Sequence, residues 1–166
     1  VTTYDATSGG SQLDQDTVAF VIANSTVQVT ADVGETLSFS LSSTAITLSP
    51  LLNSGNTATG NHTMTVATNA ASGYEVNASG SVLTKGSDTI PFVTDGDTAI
   101  TAGTSEYGVK VTTCAGGATC AADYRAMPEL GIIANAGPTN GQVHTIEYAA
   151  AVSAAQAAGN YTSNIS

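Results

Sequence analysis

The chemistry open to this 166-residue chain rests on few side chains: two His, two Cys, three Lys and Arg together, and thirteen Asp and Glu. His62 alternates with Met64 and Val66, and His144 with Ile146 and Tyr148. That is the setting of a hydrogen-bonded core or edge histidine, not of a general base or metal ligand. Asp14-x-Asp16 and Asp95-Gly96-Asp97 are acidic pairs of the kind that ligate calcium, but neither has the full loop spacing, so solvated acidic loops are expected. Lys110 points away from Val109 and Val111 on its strand, and nothing nearby in sequence marks it for a crosslink. The signatures G-x-S-x-G and H-E-x-x-H and a phosphate-cradling Gly loop are absent. The sequence therefore reads as a non-enzyme with no cofactor and no metal.

Cys114 and Cys120 flank five small residues in "CAGGATC", two of them Gly, which lets a tight ring close. No neighbouring Cys or His in the sequence completes a zinc set, so a disulfide is expected, and with it an oxidising compartment. So short a ring adds only about 2 kcal/mol of stability by the chain-entropy argument.

Five N-x-S/T triplets begin at Asn24, Asn61, Asn77, Asn160 and Asn164, where random placement of these residue types would give about 2.6. In a strand, alternate side chains face opposite ways. Asn77 alternates with Tyr74, Val76 and Ala78, Asn61 lies opposite His62, Met64 and Val66, and Asn160 and Asn164 lie opposite Tyr161 and Ile165. Those four are thus expected on outward faces, where an N-linked glycan fits.

The elements that position these groups read as β throughout. Apolar residues alternate, and Gly, Asn, Ser and Pro interrupt at short intervals. Residues 1–16 read as a flexible polar arm with a Gly9-Gly10 hinge, and 17–166 as one domain. In "TVAFVIA" (17–23), Val18, Phe20 and Ile22 face one way and Ala19, Val21 and Ala23 the other, so both faces require cover. Val27, Val29, Ala31 and Val33 form a one-sided stripe, and Leu37, Phe39 and Leu41 are expected to point inward. A hairpin is expected around Lys85–Asp88, and Tyr107, Val109 and Val111 share an inner face. Residues 123–137 read as irregular, with room for one helical turn. "EYAAAVSAAQAAG" has helical propensity, but the β-rich "VHTIEY" before it favours a strand, followed by a hairpin into "NYTSNIS". About nine or ten short strands imply an all-β β-sandwich or jelly roll.

The runs "LSFSLSSTAITLSP", "HTMTVATNAASGYEVNASG", "DTIPFV", "GTSEYGVKV" and "AAGNYTSNIS" resemble Thr/Ser-rich secreted bacterial surface β-domains. The "AGxY" step into the final strand is similar to that of fimbrial and spore-coat-protein-U-like subunits. The resemblance spans roughly residues 34–166 and implies a surface-exposed β-sandwich used as a building block of fibres or coats.

Net charge is −10 and charged residues make up only 10% of the chain. That excludes nucleic acid and anionic membrane as expected partners, since both require a basic patch. No apolar run of membrane-spanning length is present. The expected function is a secreted structural subunit of a filament, pilus or coat, with copies of itself as partner. Residues 17–23 would be donated into a neighbour, with Val18, Phe20 and Ile22 as anchors. The alternative is a monomeric adhesin or carbohydrate-binding module, which requires an exposed aromatic platform. With no Trp, Tyr4 and Tyr124 are the only loop aromatics on offer.

Overall fold

Strand-forming alternation governs the architecture, and the computed structural model is all-β. It describes residues 2–4, 12–15, 27–50, 52–94, 99–127 and 130–166, with side chains from residue 27 onward except at Leu130. The chain divides into two units, Val1–Val33 and Gly34–Ser166. In the first, β1 (Thr2–Tyr4) pairs antiparallel with β2 (Gln12–Gln15). The expected donor segment 17–23, Asn24 and the acidic residues Asp16, Asp95 and Asp97 lie outside the described residues.

The second unit is a two-layer sandwich. One layer has the order β3 (Leu37–Leu41), β4 (Thr57–Thr68), β11 (Thr139–Ala151), β8 (Glu106–Thr113). The other has the order β5 (Tyr74–Ala78), β10 (Leu130–Asn135), β9 (Thr119–Cys120). β6 (Leu83–Lys85) and β7 (Asp88–Ile90) form the expected hairpin, with Gly86 at φ +59° in its turn. The Ala-rich run is strand, as "VHTIEY" requires: Ala149, Ala150 and Ala151 are all buried in β11.

The core lies between the layers. Met64 and Val66 of β4, Tyr107, Val109 and Val111 of β8, and Ile146 and Tyr148 of β11 meet Ala78, Ile132 and Ile133 from the facing sheet. Ile132 and Ile133 are consecutive yet both buried, because a register shift between Gly131 and Ile133 turns the extra residue inward. This bulged strand replaces the irregular stretch expected over 123–137. Val93, Ile100, Tyr124, Ala149 and Ala151 form a second, smaller cluster.

Two edges are treated differently. The free side of β8 is closed, since Val109 and Arg125 exchange both backbone hydrogen bonds and Val111 N–H donates to Ala121. On β3, at the other end of that sheet, no described strand takes the free side. The stripe expected as a strand over 27–33 is not one in this chain: Val27, Val29 and Val33 are 82–86% exposed.

The expected terminal hairpin is also absent. Residues 162–166 cross to the other layer, where Thr162 and Thr84 exchange both backbone bonds, as do Ser166 and Ser79. Side chains hold this crossing. Gln156 Nε2 donates to the Thr89 carbonyl and the Tyr161 hydroxyl, and Lys85 Nζ donates to the Ala158 carbonyl.

Candidate functional site

The register of β3 defines the site. Phe39 stands opposite Val66 and Leu41 opposite Met64. Directly paired residues share a face, so these side chains lie on the inner face beside buried core. Yet Leu37, Phe39 and Leu41 are 67%, 56% and 38% exposed. The facing sheet stops at β5 and leaves β3 uncovered. The sequence placed these three residues inward correctly, but the interior they face is open to water.

The opening is a cavity of about 1240 Å³. Phe39, Leu41 and Ile46 form one wall, Val76 and Ala78 of β5 another, and Ile146 and Tyr148 the floor. Asp, Glu, Lys and Arg are missing from its described lining. Small-molecule sites usually enclose ~300–1,000 Å³ around a few convergent polar groups. This groove exceeds that range, and its buried histidine is already paired. His62 Nδ1 donates to the Ser43 carbonyl at 3.0 Å, leaving Nε2 to accept from the Tyr148 hydroxyl at 3.3 Å.

β5 supplies an unpaired backbone edge at the rim. Ser79 N–H donates to Ser166, and Gly80 N–H donates to Met127 on the β10 side. The two-residue period then directs the N–H and C=O groups of Asn77 and Glu75 away from β10, where no described strand receives them. Unpaired edge groups beside an uncovered apolar face are the two deficits that an added strand fills together.

The cysteines form a disulfide, with S–S 2.02 Å. Sequence spacing did not reveal what stands behind it. β11 brings His144 to the ring, with Nδ1 4.0 Å from Cys120 Sγ. Ala115 N–H donates to Nδ1, so the proton resides on Nε2 and is donated to the Tyr74 hydroxyl at 2.6 Å. Tyr74 in turn donates to Gln142 Oε1, and Gln142 Nε2 donates to the Gly116 carbonyl inside the ring. This closed chain ties the disulfide loop to the first residue of β5. Gly116 is obligatory there, because its φ is +65° and a Cβ would collide with the Gln142 side chain. Burial holds His144 below the ordinary histidine pKa and raises that of Tyr74.

Across the outer face of the four-stranded sheet, Lys110 pairs with Glu147 at 3.3 Å, and Tyr124 donates to the same carboxylate at 2.7 Å. Lys110 Nζ sits 4.2 Å from the Tyr124 ring centroid. The lysine thus has a carboxylate and a ring as neighbours, and Tyr124 is buried, which removes it as a surface aromatic platform. Burial, followed by the Glu147 hydrogen bond and charge, pushes the Tyr124 phenol well above its ordinary pKa. Asn61, Asn77, Asn160 and Asn164 are exposed, and Asn77, Asn160 and Asn164 border the groove instead of standing clear of it.

No family model, curated protein or solved structure matches the chain. Among the described residues no helix is long and apolar enough to cross a membrane.

Proposed function

We propose that this chain is a secreted structural subunit of an extracellular filament, pilus or coat, built from copies of itself by β-strand donation. One observation carries the proposal. The inner face of β3 is apolar, in register with the core, and open to water beside a β5 edge that no described strand pairs. A strand from a neighbour would complete both the core and the ladder.

Residues 17–23 are the donor that the apolar pattern suggests, with Val18, Phe20 and Ile22 as anchors. Burying three such side chains contributes roughly 5–8 kcal/mol before ordering costs. Head-to-tail donation does not close on itself and therefore produces a fibre. The formed disulfide and the hydroxyl-rich, charge-poor surface support an extracellular setting.

Negative-stain microscopy and SDS resistance of the purified native material test the proposal. Linear polymers that resist SDS are expected, and their loss on deletion of residues 1–23 from a chain that stays folded would assign the donor to that segment. Monodisperse monomer, together with a deletion that merely unfolds the chain, would overturn it.

A further inference from the structure

We infer that the strand seated in the groove is residues 27–33 of a second copy, laid along the outer edge of β5. This rests on strand donation as the mode of assembly and changes which residues perform it.

The groove selects for a one-sided strand. A strand on the β5 edge has one face toward Phe39, Leu41 and Val76 and the other toward solvent. Residues 27–33 match that demand, with Val27, Val29, Ala31 and Val33 on one side and Gln28, Thr30 and Asp32 on the other. Residues 17–23 are apolar on both sides and would leave Ala19, Val21 and Ala23 in water at this position. Seven extended residues span about 23 Å, enough to cover the roughly 17 Å of a five-residue β5. The uncharged lining accepts the valines, and the one charge in the segment, Asp32, faces out.

The link to the rest of the chain is defined. Asn69 Nδ2 donates to the Gly34 carbonyl, Thr36 N–H donates to Asn69 Oδ1, and Thr68 Oγ1 donates to the Thr36 carbonyl. Residues 34–36 are thereby tied to the end of β4, and the boundary between the two units falls at Val33 and Gly34. Just before that anchor, Val27, Val29 and Val33 are 82–86% exposed. Among the described residues each copy thus carries an apolar groove and an unburied apolar stripe, the complementary halves of a head-to-tail contact.

The test uses full-length wild type, Val29→Glu and Phe20→Asp, with sedimentation to read assembly and backbone amide exchange to read Glu75 and Asn77. Val29 is 86% exposed, so the charge leaves the fold intact, as circular dichroism checks. Carried into the groove it is a buried, unpaired carboxylate, and the concentration needed for assembly rises at least about a hundredfold. A peptide of residues 26–34 added to the Val29→Glu chain slows exchange at Glu75 and Asn77 by at least about tenfold. Assembly of Val29→Glu at wild-type concentration, or a peptide that leaves those amides unprotected, overturns the inference. If Phe20→Asp alone blocks assembly, strand donation stands and 17–23 is the donor. A wild-type chain that stays monomeric refutes strand donation itself. If its Glu75 and Asn77 amides are already protected, the stripe folds into its own groove and the inference fails with it.

Discussion

If the chain assembles by strand donation as proposed, replacing Phe39 with alanine separates the stability of the subunit from that of the polymer. Full burial of a Phe side chain is worth at most about 3 kcal/mol. Phe39 is 56% exposed in the single chain, so rather more than half of that, about 1.5 kcal/mol, is gained only when a strand covers it. The concentration required for assembly should rise about tenfold, while the monomer loses only about 1 kcal/mol. Met64, directly opposite Leu41, behaves in the reverse way. It is fully buried already, and Met64→Ala should cost the monomer about 2–5 kcal/mol. Replacing Phe39 and Leu41 together withdraws about 2.5 kcal/mol from the contact, roughly fifty- to a hundredfold in concentration. Sedimentation against protein concentration gives the assembly term, and urea unfolding of dilute chain gives the monomer term. A Phe39→Ala chain that loses more than 3 kcal/mol as a monomer and assembles normally would refute the reasoning, because Phe39 would then belong to a closed core.

Three other outcomes follow from the site. Burial lowers the His144 pKa, so as pH falls through about 6.5 the unfolded chain takes up this proton before the folded chain does, and stability falls as pH falls. Unfolding followed from pH 8 to pH 5 should show that slope, and His144→Gln should flatten it. Reducing Cys114–Cys120 should cost about 2 kcal/mol in thermal unfolding and should speed amide exchange along β5, because the ring holds Tyr74 through Gln142. Intact mass of the native material should exceed that of the oxidised bare chain by whole N-glycans, mapped by peptide analysis to exposed Asn61, Asn77, Asn160 or Asn164; a mass equal to the bare chain rules glycans out.

The strands with strict alternation were legible in the sequence. "EYGVKV" and "HTMTVAT" report their inner faces directly, because each has buried neighbours on one side and water on the other. The disulfide followed from spacing, and the Lys85–Asp88 hairpin from its turn residues. Where partners are set by contacts distant in sequence, the pattern was silent. Nothing near "NYTSNIS" indicates that Lys85 and Gln156 carry it to the opposite layer. The Gly131–Ile133 bulge hides a strand by breaking its period. His144 stands 24 residues beyond Cys120 and reaches it only because β11 folds back on the sheet. The groove was the least legible feature. Alternation assigns Leu37, Phe39 and Leu41 to an inner face correctly, but it cannot report that they stay 38–67% exposed because no described strand lies beyond β5.

Helical reconstruction of the assembled material by electron cryomicroscopy tests the central claim most directly. The account predicts strand density along the outer edge of β5, covering Phe39 and Leu41 and traceable into the adjacent subunit. An empty groove, or density that traces back into the same chain, would contradict it.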